Sequence, residues 1–151
     1  MSGIPSVRPL DTSRLGWIPL APGLSFKPLA YFPDLSGWQL LLRLEPGTKI
    51  PRHRHTGEVH AFNLSGFRRL DTGEVVGPGT YVHEPAGNVD SWEAFGDEPC
   101  VIHIEVNGRN EYLDAEDRVI RIADARGSRQ DYLDWCRAEG VEPHPSLVGG
   151  I

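Results

Sequence analysis

The sequence has no long apolar run and no cluster of basic residues. No stretch approaches the ~18 consecutive apolar residues of a transmembrane helix, so no membrane span is predicted. The 15 Lys and Arg residues are scattered and the formal net charge is −6, whereas nucleic-acid-binding proteins usually carry a basic surface. These two absences argue against insertion into a membrane and against binding of nucleic acid.

Cysteine is also scarce. The two cysteines, Cys100 and Cys136, lie far apart and neither belongs to a Cys-x-x-Cys pair, which indicates reduced thiols and a cytoplasmic protein. The amino-terminal segment contains prolines and no apolar core of a signal peptide, so no secretory signal is predicted. Glycine-rich phosphate-binding loops and the common hydrolase motifs are missing as well.

Glycine and proline are abundant, with 17 and 13 residues in a chain of 151. Such a content is typical of many short strands joined by tight turns. Short extended runs follow one another from Trp38 to Val106, each ended by a turn signal such as Asp71-Thr72-Gly73. This spacing predicts an all-β sandwich or barrel.

The length is that of one domain, and the two ends of the chain differ from its centre. Residues 1–36 are rich in proline and are predicted to form an arm along a sheet edge, with short strands at most, because proline cannot donate to a β-ladder. Residues 37–123 are predicted to form the barrel. Residues 124–151 are predicted to hold one helix, from the N-cap Ser128 to Glu139, and a tail.

Two histidines, His53 and His55, stand in the predicted strand that follows Gly47. Residues at positions i and i+2 of a strand point to the same face, so both imidazoles can reach one ion. Neutral imidazole is a ligand for iron, copper, nickel and zinc. An isolated pair of this kind also occurs on wet surfaces, so the surrounding residues have to decide between the two interpretations.

The residues around this pair resemble the two sequence motifs of the cupin superfamily, Gly-x5-His-x-His-x3/4-Glu-x6-Gly and Gly-x5-Pro-x-Gly-x2-His. The matching positions are Gly47, His53, His55 and Gly66 in the first motif and Gly79, Pro85 and Gly87 in the second. The resemblance implies a cupin fold, which is a double-stranded β-helix of the jelly-roll type. It implies a metal site within the barrel.

The chain differs from the superfamily at two ligand positions. The motif glutamate falls at Val59 when counted from Gly66, or at His60 with a slip of one residue, and Glu58 is a third candidate. His60 is preferred to Val59 because it can coordinate a metal. The last motif histidine falls on Asp90. The resemblance thus implies a divalent transition metal, Fe(II) before Mn(II), Ni(II) or Zn(II), held by His53, His55, His60 and Asp90. Alternatively, Asp90 marks a cupin that has lost its metal.

Several other residues are candidates for the cavity wall. Trp92 shares a strand face with Asp90 by period two and is a candidate for substrate binding, as is Arg69 in the strand after the first motif. His103 is a candidate catalytic base. Glu84 is a candidate catalytic residue that orients a ligand imidazole. For each of them a solvated or salt-bridged strand position is the alternative.

Parts of the chain also resemble a narrower group, which includes 2,4′-dihydroxyacetophenone dioxygenase, acetylacetone-cleaving dioxygenases and the ChrR-like cupin domain. The shared fragments include Gly37-Trp38, Tyr81-Val82-His83-Glu84-Pro85 and Tyr112-Leu113-Asp114. The resemblance implies an iron-dependent dioxygenase that cleaves a C–C bond beside a carbonyl group of a small molecule, with dioxygen as co-substrate. Two alternatives stay open: a redox-neutral metal cupin (isomerase, lyase or hydrolase), and a non-catalytic ChrR-like module that binds a metal or a ligand.

The proline-rich arm and the exposed sheet edge of a small barrel predict a homodimer. We expect sedimentation at micromolar protein concentration to show a species of twice the monomer mass. Detection of a monomer alone would contradict this prediction.

Overall fold

The computed structural model describes residues 7–148 and contains twelve strands and two helices in that range. A short 3₁₀ turn (Thr12–Arg14) precedes them. The strands are β1 (Ile18–Ala21), β2 (Leu24–Tyr31), β3 (Gly37–Leu44), β4 (Lys49–His55), β5 (Val59–Ser65), β6 (Phe67–Leu70), β7 (Val75–Val76), β8 (Tyr81–Glu84), β9 (Val89–Phe95), β10 (Cys100–Asn107), β11 (Asn110–Leu113) and β12 (Val119–Ala123). The helices are α1 (Ala125–Glu139) and α2 (Pro145–Val148).

The strands form two six-stranded antiparallel sheets. One has the order β1-β2-β3-β10-β5-β8 and the other has the order β12-β11-β4-β9-β6-β7. Leu40, Leu42 and Leu44 of β3 are buried and alternate with less buried residues, as the period of two in a strand requires. The all-β barrel followed by one C-terminal helix of several turns is therefore confirmed.

The proline-rich amino-terminal segment contributes more to the barrel than its composition predicts. β2 has eight residues, pairs with β3 along most of its length and buries Phe26 in the core. Proline is tolerated there because the pairing of β2 with β1 ends at Phe26 and the register with β3 shifts just after Pro28, so neither ladder requires its N–H. Residues 1–6 of the predicted arm lie outside the described residues.

Helix α1 begins earlier than the sequence pattern predicts. Its N-cap is Asp124, not Ser128, and the Asp124 carboxylate accepts a hydrogen bond of 2.8 Å from the Gly127 N–H. The Ser128 hydroxyl instead shares a hydrogen bond of 3.0 Å with the Tyr31 hydroxyl of β2, which ties the helix to the barrel. Within residues 7–148, neither helix has the length and apolar character needed to span a membrane.

Two leucines provide a matched test of where the core lies. Leu44 in β3 is fully buried, whereas Leu64 in β5 is 49% exposed. Truncation of a buried leucine removes apolar contacts and leaves a cavity, so we expect Leu44→Ala to lower the free energy of unfolding by about 2–5 kcal/mol. Leu64→Ala should lower it by less than about 1 kcal/mol. Urea unfolding followed by tryptophan fluorescence measures both values, and equal losses would contradict this description of the core.

Candidate metal centre

Strand β4 carries two histidines on its inner face. Ile50, His53 and His55 are buried, whereas Pro51 and Arg52 are exposed. The register between β4 and β9 shifts between Ile50 and His53, and this irregularity allows both residues to face inward although their spacing is odd. His53 and His55 then follow the ordinary alternation of a strand, so that both imidazoles enter the barrel together.

Strand β9 brings a carboxylate to the same point. The turn between β8 and β9 has Gly87 at a φ of 89°, a conformation that favours glycine. The Gly87 N–H donates a hydrogen bond of 2.7 Å to the carbonyl oxygen of His55, which ties this turn to β4. Asp90 is then paired directly with His53. Its Oδ1 lies 3.0 Å from His53 Nε2 and 3.8 Å from His55 Nε2.

Both imidazoles are oriented by hydrogen bonds at their Nδ1 atoms. His53 Nδ1 donates to the carbonyl oxygen of Pro51 at 2.8 Å, and His55 Nδ1 donates to Asn110 Oδ1 at 2.6 Å. Because these oxygens only accept, Nδ1 of each neutral ring carries the proton and Nε2 presents a lone pair. The two Nε2 atoms lie 3.1 Å apart, so their lone pairs are directed into the same small volume.

The donor atoms of the cluster converge without satisfying one another. Asp90 Oδ1 is buried and has no well-aligned hydrogen-bond partner among residues 7–148, although His53 Nε2 lies only 3.0 Å away. Lone pairs that face one point in a buried site are unfavourable unless a cation lies between them. Atoms that bind one transition-metal ion with bonds of about 2.1 Å are about 3.0–3.5 Å apart. His53 Nε2 lies at such distances from His55 Nε2 (3.1 Å) and from Asp90 Oδ1 (3.0 Å), whereas His55 Nε2 and Asp90 Oδ1 are 3.8 Å apart and would form a wider angle at the ion. The three residues can therefore hold a single divalent transition metal.

The pKa shifts of His53, His55 and Asp90 also indicate that a positive charge is favourable at this point. Burial disfavours charged His53, but the close approach of the Asp90 carboxylate and the hydrogen bond to the Pro51 carbonyl oxygen outweigh this and raise the pKa of His53. Burial and the nearby His53 lower the pKa of His55. For Asp90, burial is outweighed by the contact with His53, and its pKa is lowered. A positive charge is thus stabilised beside the Asp90 carboxylate.

Glu84 is the second carboxylate of the centre. Its Oε1 lies 3.5 Å from His55 Nε2 and accepts a hydrogen bond of 2.7 Å from Asn88 Nδ2. Burial and the negative charge of Asp90 raise the pKa of Glu84 to about 7. Asn110, rather than Glu84, holds the Nδ1 side of His55. Glu84 instead lies on the Nε2 side, where a fourth ligand or a proton acceptor would stand.

His60 does not join the cluster. Its neighbours Val59 and Ala61 in β5 are buried, so strand alternation turns His60 to the outer face of the barrel. There its ring stacks on His83, with the ring centroids 5.0 Å apart, and its Nδ1 is hydrogen-bonded to the Tyr81 hydroxyl. The slip of one residue that favoured His60 is absent from the structure. The residue that faces inward at this position is Val59, which cannot bind a metal.

Among the three remaining candidates, only Trp92 faces the interior, where it is buried and lines a cavity. His103 points outward and lies within hydrogen-bonding distance of a β3 glutamine. Arg69 is exposed, and its guanidinium lies 4.4 Å from the ring centroid of Phe95. The alternation of β6 places Arg68, not Arg69, inside the barrel, with 2% of its surface exposed.

A cavity of about 590 Å³ opens onto the cluster. His53, His55 and Glu84 form part of its wall, and most of the rest is apolar, with Phe26, Trp38, Leu40, Leu42, Ile104 and Val106. This volume lies within the range of about 300–1,000 Å³ that is usual for small-molecule sites. The arrangement can therefore hold a metal ion at the wall of a pocket that admits a small, mostly apolar compound.

Three residues of this site were not identified as site residues from the sequence: Arg68, Asn110 and Tyr112. All three line the cavity, and the Tyr112 ring centroid lies 5.4 Å from that of His53. Asn110 and Tyr112 belong to β11, which pairs with β4 opposite His55 and His53. The Asn107-Gly108 turn is the sequence signal from which a further strand, and with it Asn110 and Tyr112, could have been predicted. No local signal distinguishes Arg68 from Arg69.

The barrel consists of two antiparallel sheets and carries a His-x-His pair and a carboxylate on its inner wall. This is the structure of a cupin with a candidate metal site. The chain matches the family model described as the ChrR cupin-like domain over residues 8–108, and it belongs to that family. The cupin fold expected from the two motifs is therefore confirmed. No curated protein matches the chain.

Solved structures show the same fold over most of the chain. An RmlC-like cupin protein from Ralstonia eutropha JMP134 is 27% identical, with a TM-score of 0.87 over 97% of this chain and 96% of that chain. An acetylacetone dioxygenase from Acinetobacter johnsonii is 16% identical, with a TM-score of 0.77 over 88% of this chain and 95% of that chain. The complex of Rhodobacter sphaeroides SigE with the anti-sigma ChrR matches at 20% identity, with a TM-score of 0.57 over 64% of this chain and 52% of that chain. At their level of identity, the last two show likeness of fold alone.

Replacement of the two buried histidines tests the centre directly. We expect the double variant His53→Ala/His55→Ala to lose stoichiometric transition metal, because two of the three converging donor atoms are removed. Asp90→Asn should weaken binding, because the amide is neutral. His60→Ala is the matched control and should keep the buried ion, since His60 lies outside the barrel. Elemental analysis after dialysis measures the metal content, and a double variant with full occupancy would contradict this assignment.

Proposed function

We propose that this protein is a metal-dependent dioxygenase that cleaves a C–C bond of a small carbonyl compound of the hydroxyacetophenone or β-dicarbonyl type. The observation that carries the proposal is the convergence of His53, His55 and Asp90 beside a largely apolar cavity. Two histidines and one carboxylate, with further positions open, are the donor set of non-haem Fe(II) oxygenases. Fe(II) is therefore the preferred ion, and Mn(II), Ni(II) and Zn(II) are compatible with the same donors.

Each part of the site has a role in this chemistry. A bound divalent ion supplies a Lewis acid and a template on which an enolisable carbonyl compound and dioxygen meet. The hydrogen bonds of His53 to Pro51 and of His55 to Asn110 keep the ligand rings oriented. The apolar wall excludes water from reactive species. Glu84 faces the cavity beside the cluster, and its carboxylate is placed to accept the proton from the carbon next to the substrate carbonyl.

The likeness to an acetylacetone dioxygenase supports the choice of reaction. Acetylacetone is a β-dicarbonyl compound, and that enzyme has the same barrel along 88% of this chain. The expected stoichiometry is one dioxygen for each substrate molecule, with both oxygen atoms retained in the two fragments. As the sequence predicts, we place the protein in the cytoplasm as a homodimer.

A second candidate is a metal-binding module without turnover. The family match to the ChrR cupin-like domain favours it. Glu84 Oε1 lies 3.5 Å from His55 Nε2 but outside the converging group of His53, His55 and Asp90. A small movement of its side chain would make it a fourth ligand, and a metal site with four protein ligands is closed to substrate, as in structural zinc centres. The two candidates therefore differ in one property, which is whether a ligand position on the metal is open to a small molecule.

Oxygen uptake distinguishes the two candidates. We expect protein loaded with Fe(II) to consume one dioxygen for each β-dicarbonyl or hydroxyacetophenone molecule cleaved, as measured with an oxygen electrode and by product analysis. Glu84→Gln should lower kcat by about 10²–10⁴-fold, the contribution of a general base, with its iron content unchanged. Glu58→Gln is the control, because Glu58 is exposed and contacts His83 on the outer face. An iron-loaded protein that consumes no oxygen with either class of compound would favour the module.

A further inference from the structure

Arg68 is a buried cation whose guanidinium makes few hydrogen bonds. Its guanidinium carbon lies 4.6 Å from the ring centroid of Trp92. Within the described range of the chain, its side chain makes one long hydrogen bond of 3.4 Å, from Nε to Asn63 Oδ1, and its buried Nη2 has no partner. A guanidinium has five N–H donors, and a buried charge is ordinarily paired. The negative charges of Glu84 and Asp90 act on the guanidinium, but neither carboxylate accepts a hydrogen bond from it among residues 7–148, and the buried Nη2 is left without an acceptor.

The guanidinium is held in place rather than free to seek a partner. Asn63 is fully buried and donates from Nδ2 to the Gly66 carbonyl oxygen at 3.2 Å and to Cys100 Sγ at 3.6 Å. These contacts orient the Asn63 carbonyl oxygen towards Arg68. The Trp92 ring supports the guanidinium plane. Arg68 lines the same cavity as His53, His55 and Glu84, so it is a preorganised positive group close to the candidate metal centre.

Arg68 is the buried arginine of the cavity wall, whereas the other arginine of the wall, Arg121, is exposed. Because charges in a buried position are poorly screened, an anionic group of a bound compound would interact more strongly with Arg68 than with Arg121.

We propose that the substrate is an oxo acid, a carbonyl compound with a separate carboxylate, and that Arg68 binds this carboxylate. The inference rests on the proposed function for the carbonyl end, which meets the metal centre, and it identifies the other end of the molecule. Arginine matches a carboxylate with two parallel hydrogen bonds. Trp92 and the apolar wall then accommodate the hydrocarbon part of the substrate.

A pair of ligands of nearly equal shape tests the inference without turnover. The probes are β-benzoylpropionate, a monoanion, and its neutral methyl ester. Isothermal titration calorimetry measures the affinity of zinc-loaded protein for each of them. We expect wild type to bind the carboxylate at least about ten-fold more tightly than the ester, as a charge-assisted hydrogen bond provides. Arg68→Met should reduce the two affinities to similar values. Arg69→Met is the matched control and should keep the full preference, because Arg69 lies outside the barrel. Elemental analysis checks that the zinc content is equal throughout.

Equal affinity for the two probes in wild type, or a preference that persists in Arg68→Met, overturns the inference. If Arg68→Met fails to fold, equal affinities in wild type still overturn the inference, and Arg68→Lys tests whether a preference depends on Arg68. Arg68→Lys keeps the charge but loses the forked geometry, and an intermediate preference supports the inference.

Oxygen uptake separates this inference from the proposed function. A carboxylate preference without oxygen uptake on oxo acids or diketones overturns the dioxygenase and retains the Arg68 site. Uptake on neutral diketones without a carboxylate preference overturns the Arg68 site and retains the dioxygenase.

Discussion

The register between β4 and β9 is the constraint on which the candidate site depends. It sets Asp90 opposite His53 and brings Asp90 Oδ1 within 3.0 Å of His53 Nε2 and within 3.8 Å of His55 Nε2. Three unprotonated donor atoms held so close in a buried position repel one another. The irregularity in β4 and the turn at Gly87 hold them there nonetheless. This arrangement is favourable once a cation neutralises the centre, which couples the stability of the barrel interior to metal binding.

The site keeps the backbone geometry of the cupin motifs and changes their chemistry. Asp90 stands where the second motif has a histidine, and Val59 stands where the first motif has a glutamate. The carboxylates of the centre therefore come from Asp90 in β9 and Glu84 at the end of β8. This exchange lowers the number of neutral nitrogen donors and brings two negative charges into the interior. Arg68, buried nearby, is the cation that those two carboxylates make tolerable.

Much of the barrel could be predicted because its turns carry local signals. The predicted strands from Phe67 to Leu70 and from Val89 to Phe95 coincide with β6 and β9. The start of α1 was placed wrongly because aspartate and serine are both good N-caps, and the choice of Asp124 depends on how the helix meets the barrel. The length of β2 was underestimated because the prolines of the amino-terminal segment were taken to disfavour a long strand. A proline argues against a strand only where the ladder needs its N–H, and Pro28 lies beyond Phe26, the last residue of β2 that pairs with β1.

For the site residues as well, some features follow from local sequence and others depend on the pairing of the strands. Local sequence was enough to bring His53 and His55 to one face, because the alternation of side chains along a strand is a property of the backbone itself. It was not enough to choose between Val59 and His60, or between Arg68 and Arg69. Which of two adjacent residues faces inward depends on the pairing of that strand with its neighbours and on bulges elsewhere in the sheet. A shift of one residue in that pairing reverses every side chain of the strand, so the inner wall was settled only when the sheets assembled.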